Sequence, residues 1–127
     1  MSLKHMCDMI SKIKNACMVG KDFVLVKSSK IAIAVLKVFK DDGYIKDYEP
    51  QDREVCVYLK YHGGRSVIKY IKAISTPRKP VYKKLKDIHQ IAKKFSTTVI
   101  STNKGVVAHQ EALYNKVGGK LICEVSA

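Results

Sequence analysis

The sequence predicts an α+β fold made of two small α/β subdomains, residues 1–74 and 75–127. Three observations predict it. Stretches with apolar residues at helical spacing alternate with short β-branched runs. Glycine-bearing turns punctuate those runs. A basic stretch, Ser75-Thr76-Pro77-Arg78-Lys79-Pro80, places two prolines near the middle of the chain, where their missing N–H groups exclude a central strand. The first half then reads as α-β-α-β-β-β. The second half is mainly β with short helices.

Met6, Met9, Ile10, Ile13 and Cys17 follow the helical repeat and give the first helix an apolar stripe. Lys4, Ser11, Lys12, Lys14 and Asn15 project from its other face, and Gly20 ends it. Residues 23–26 form a short β-type run. Ser28 or Ser29 offers an N-cap for a helix running to about Asp42, with Gly43 just past its end. Ile31, Ala32, Ile33, Val35, Leu36, Val38 and Phe39 make that helix apolar around most of its girth, so it is the expected core helix. Strands follow at 44–49, 55–61 and 67–74, with residues 62–65 as a turn. Beyond the prolines, Leu85, Ile88, Ile91 or Ala92, and Phe95 mark an amphipathic helix with Lys83, Lys84, Lys86, Lys93 and Lys94 outside its stripe. A hairpin over 99–107, a short helix over 110–116 and a strand over 121–125 complete the chain.

The charge is strongly uneven. The chain has 127 residues, 24 lysines and arginines against 11 acids, and a net charge of +13. Residues 55–110 contain a single acid, Asp87, and hold nearly all of the excess. Such a concentration of cations implies a polyanionic partner. Most of the cations are lysine, which acts on phosphate as a point charge and favours backbone contact over base reading. No apolar run approaches the ~20 residues of a membrane span, and the N-terminus lacks a signal-peptide core. The expected location is the cytoplasm, with no membrane partner. Cys7, Cys17, Cys56 and Cys123 lack metal-ligand spacing and read as reduced, mostly buried residues. Gly63-Gly64-Arg65-Ser66 lacks the spacing of a phosphate-binding loop. No catalytic set is placed by local context, so an enzyme is not expected, nor is a cofactor or metal.

RNA recognition fits the remaining chemistry. Val99-Ile100-Ser101-Thr102-Asn103-Lys104-Gly105-Val106-Val107 reads as strand, tip and returning strand, with Gly105 where a three-residue hairpin wants positive φ. Ser101 and Thr102 can reach a 2′-hydroxyl, Asn103 a base edge or sugar, and Lys104 a phosphate. Gly105 allows close backbone approach. Tyr82 can stack on an exposed base while Lys83 and Lys84 hold the backbone. Lys27, Ser28 and Lys30 gather at the start of the core helix, where amide groups favour phosphate. The polar face of the first helix, with Lys12, Lys14 and Asn15, is either solvated or laid on RNA.

The 99–105 run resembles the motif of the bacterial small-subunit ribosomal protein S-eight family. Other segments resemble that family in the same order: 8–16 its opening helix, 28–36 the start of its second helix, and Asp42-Gly43-Tyr44-Ile45 the following turn. Thr76, Pro77 and Tyr82 fall in its inter-domain segment, and Glu111-Ala112 with Val117-Gly118-Gly119 closes the pattern. The resemblance implies a structural, primary rRNA-binding protein of the small subunit. It would bind the central domain of 16S rRNA and help organise the platform beside other ribosomal proteins. It also implies repression of its own operon through an mRNA mimic of that site. By resemblance the hairpin and the Tyr82 region, with Thr76, Arg78 and Lys79, would hold one RNA helix, and the N-terminal part would touch neighbouring RNA. The alternative is an RNA-binding protein or RNA chaperone outside the ribosome. Arg78 replaces a common glycine of the family, Pro80 a basic residue, Asn103 a serine and Lys120 an acid, and the terminal aromatic is absent.

Overall fold

A computed structural model describes residues 3–91 and 96–127. The elements are α1 (Leu3–Val19), β1 (Phe23–Lys27), α2 (Lys30–Asp41), β2 (Ile45–Pro50), β3 (Glu54–Leu59), β4 (Tyr61–His62), β5 (Arg65–Ser66), β6 (Tyr70–Ala73), β7 (Tyr82–Lys83), α3 (Leu85–Ile91), β8 (Thr97–Thr102), β9 (Gly105–Ala108), α4 (His109–Tyr114) and β10 (Gly119–Ser126). Helices and antiparallel sheets give the α+β class that the sequence predicts. Ala92, Lys93, Lys94 and Phe95, assigned from sequence to the end of the third helix, lie outside the described residues.

The first sheet has the order β1-β3-β2, and α1 and α2 pack against it. The α1 stripe is as spaced: Met6, Met9, Ile10, Ile13 and Ala16 are buried, and Cys17 packs at the margin. Of the two candidate caps it is Ser29 that closes α2, its Oγ accepting from the Ala32 N–H at 3.2 Å. The other end is a Schellman motif. The Tyr44 N–H donates to the Phe39 carbonyl at 2.8 Å and the Gly43 N–H to the Lys40 carbonyl at 3.0 Å. Gly43 supplies the required φ of 81°.

The second sheet runs β6-β10-β8-β9, and the short β7 also pairs with β10. Its two faces serve two cores. Val99, Ile122, Cys123 and Val125 join the α1–α2 core. Ile100, Val107 and Leu121 pack with Ile88 of α3 and Ala112 of α4. The Tyr44 hydroxyl, 3.1 Å from Thr97 Oγ1, links the start of the first sheet to the second.

Two features differ from the sequence reading. The strand expected over 67–74 is only β6, and its partner is the end of β10, with Lys72 opposite Glu124. An alternating pattern marks a strand but carries no information on which distant strand will pair with it. Conversely, Tyr82 and Lys83 form a strand with no visible pattern, because two residues are too few to show a period.

Candidate nucleic-acid interface

The hairpin tip is built by its own side chains. Register runs from Val99 opposite Ala108 to Thr102 opposite Gly105, leaving Asn103 and Lys104 as the exposed tip. Gly105 has φ 116°, a conformation that L side chains rarely adopt. The Thr102 hydroxyl donates to the Gly105 carbonyl at 2.8 Å and accepts from the Lys104 N–H at 3.1 Å. Its donor is therefore committed to the turn, and Thr102 braces the tip with one lone pair left for a ligand. Ser101 is half-buried, one step down β8.

The chain brings Tyr82 to this hairpin through β10. Lys120 of β10 stands opposite Tyr82 on one side and opposite Ser101 on the other. Residues directly opposite in an antiparallel sheet point to the same face, so Tyr82, Lys120 and Ser101 form a row across three strands. The row depends on the glycine pair. A Cβ on Gly118 would lie 2.5 Å from the Lys83 carbonyl oxygen, and one on Gly119 would overlap the Ser101 carbonyl oxygen. Tyr82 is 65% exposed, so its ring is available for stacking. The Lys120 Nζ lies 5.4 Å from the ring centroid. Lys83, Lys84 and Lys86 border the adjoining groove with Gly118 and Gly119.

Ser75, fully buried, anchors the connecting segment. Its hydroxyl donates to the Leu121 carbonyl and accepts from the Val81 N–H at 2.9 Å. The segment between is a tight turn: the Lys79 N–H donates to the Thr76 carbonyl and to Thr76 Oγ1, each at 3.1 Å. Thr76 thus shapes the turn, and Arg78 and Lys79 are presented to solvent.

The sequence-predicted cations of the first half do not all meet. Lys12, Asn15 and Lys27 line one shallow depression together with His5, whose Nε2 lies 3.4 Å from the Lys27 Nζ. Lys14 lies on another side of α1, beside Tyr70 and Lys72. Lys30, at the start of α2, is exposed, and Ser28 is half-buried beside the capping Ser29. Sequence reasoning takes Lys120 only as a departure from the family pattern at a place where the usual acid could meet RNA, and it does not identify Ser75 or His109 as site builders. Gly118-Gly119 was the available signal for Lys120, since glycines where a strand begins mark a close backbone approach.

His109 ties the hairpin to α4. It is buried, and its Nδ1 accepts from the Thr98 N–H at 3.1 Å. Burial pushes its pKa down, and the Asp42 carboxylate offsets this in part. A protonated Nδ1 cannot accept, so the neutral ring is the folded form. The unfolded histidine, with pKa about 6.5, binds protons that the folded one refuses. Stability is therefore fully present above that value and is lost as pH falls through it. Urea midpoints at pH 7.5 and 5.5 are expected to show this loss, and His109→Gln is expected to flatten it.

Among the described residues no group of histidine, cysteine and acid side chains could hold a metal ion, and no helix is long and apolar enough to cross a membrane. The family model described as Ribosomal protein S8 matches residues 4–126. The chain is similar to the small ribosomal subunit protein uS8 of Burkholderia cenocepacia (strain HI2424), at 39% identity over 123 residues, covering 94% of each chain. The uS8 proteins of Burkholderia vietnamiensis (strain G4 / LMG 22486) and Paraburkholderia phymatum show the same identity and coverage.

Proposed function

This chain belongs to the ribosomal protein S8 family, which makes it a structural constituent of the small ribosomal subunit, and we propose that it binds the central domain of 16S rRNA directly and helps assemble the platform. The Tyr82 ring and Ser101, aligned across β10 beside the Asn103-Lys104 tip, carry this reading. The arrangement combines a stacking surface, short polar groups fixed by backbone, and phosphate-seeking cations, which is what recognition of a folded RNA requires. Lys83 and Lys84 extend the cationic border, and Arg78 and Lys79 add charge from the 76–79 turn. Neighbouring small-subunit proteins are its protein partners, and the bacterial cytoplasm is its location. No catalytic step belongs to this role. Lys12, Asn15 and Lys27 form the proposed second contact with rRNA, from the first half of the chain.

Binding to a fragment of the central-domain rRNA helix, against a scrambled hairpin and across a salt series, tests this reading. The fragment is expected to bind more tightly at every salt concentration. Ser101→Ala and Asn103→Ala are each expected to lose about 1 kcal/mol of that preference without changing the salt slope. Lys104→Ala is expected to lower the slope by roughly 0.7–0.9, the value of one neutralised phosphate. Equal binding to both RNAs would sink the assignment. A free-standing RNA chaperone would leave small subunits at high salt, whereas the proposed protein co-sediments with them. The same surface would recognise an mRNA hairpin that mimics the rRNA site, giving repression of its own operon. Absence of such a hairpin from the native transcript would end that extension.

A further inference from the structure

We infer that Lys120 is itself an RNA-contacting residue of this interface, taking a phosphate and at the same time holding the Tyr82 ring as a stacking platform. The inference rests on the RNA-binding reading above and adds to it a residue at the centre of the row. Three observations carry it. Lys120 lies between Tyr82 and Ser101 in register, so any RNA that touches both passes over it. Its ammonium lies 5.4 Å from the Tyr82 centroid, within cation–π range. Lys120 is half-buried, yet among the described residues no carboxylate pairs with it.

The physical consequence follows from those facts. An ammonium that faces a ring and has no carboxylate to neutralise it attracts an anion. Tyr82 is 65% exposed and would otherwise be free to swing between rotamers. Attraction between ammonium and ring favours one ring orientation, which lowers the entropy cost of stacking a base on it. The phenolic hydroxyl is not needed for this, because the cation is drawn to the ring face. Gly119 is what admits the arrangement, since it lets β10 close against Ser101 one residue before Lys120.

The test uses the full chain and the central-domain rRNA fragment over a tenfold salt range, with thermal midpoints as the folding control. Lys120→Ala is expected to lower the salt slope by roughly 0.7–0.9, so that the fall in affinity over that range shrinks about five- to eightfold. Lys120→Arg is expected to keep the slope. Tyr82→Leu is expected to weaken binding about tenfold, whereas Tyr82→Phe stays near the parent. In the double variant with Lys120→Ala the two losses are expected to be less than additive. An unchanged slope for Lys120→Ala, with Lys104→Ala still lowering it, would overturn this inference and leave the RNA-binding reading standing. A lowered slope with strictly additive losses would overturn the ring-positioning half. Equal binding of the fragment and a scrambled hairpin by the parent would overturn the RNA-binding reading and this inference with it. If Lys120→Ala does not fold, Lys120→Gln gives the same comparison with more of the side-chain stem retained.

Discussion

Replacing Gly119 by alanine is expected to destabilise the protein by about 3 kcal/mol, the upper end of ordinary overpacking costs, and to remove specific RNA binding. The added Cβ would overlap the Ser101 carbonyl oxygen and lie 3.0 Å from its carbonyl carbon and 3.2 Å from Ile100 Cγ2. Two of those atoms are backbone of the neighbouring strand, so no side-chain rotation relieves the contact. Strand β10 has to move away from β8, and the same movement separates Lys120 from Ser101 and drags Tyr82 with it. Urea unfolding and RNA titration of the same preparation check both effects. A variant with parental stability and parental affinity would show that the sheet absorbs the methyl group and that the close approach is not required.

Phe39→Ala is expected to cost about 3–5 kcal/mol, the usual range for deleting a buried phenylalanine side chain. That is a large share of the roughly 5–15 kcal/mol by which natural domains are stable. Phe39 is fully buried, on the helix that packs against both β2 and β9. The cavity would therefore open between the two sheets, in the core that Val99, Ile122 and Val125 share with α1 and α2. Its carbonyl also receives the Tyr44 N–H in the helix-ending motif, a bond that alanine preserves. The loss thus reports packing and not capping. Denaturant midpoints at fixed pH measure it, and a loss below 1 kcal/mol would place the weight of the core elsewhere.

Much of this architecture is legible in the residues, for identifiable reasons. The α1 stripe, the girth of α2 and the Gly43 stop are local signals, readable within one or two turns of chain. The hairpin is equally local, because Gly105 and the flanking β-branched pairs specify it together. What could not be read was pairing at a distance. β6 lies on β10 across some fifty residues of chain, and β7 shows no period in two residues. The same limit applied to the site. Tyr82 and the 101–105 tip were visible separately, but their common neighbour, Lys120, emerges only once β10 is placed between them. Side-chain duties were also concealed: a threonine in a polar tip reads as a ligand, and Thr102 proves to spend its proton on its own turn.

The central position of β10 also bears on the protein's biogenesis. Strands β6, β7 and β8 all pair with it, and all three are translated before it. A growing chain therefore carries open strand edges, with unpaired backbone groups, until the last of these segments is made. The first sheet needs nothing beyond β3 to close its ladder and can form early. Contacts that span long stretches of chain form slowly, so the row of Tyr82, Lys120 and Ser101 is among the last features to exist. Competence to bind thus comes only once β10 has been made, and a truncated product that stops short of β10 keeps the cations without the surface that arranges them.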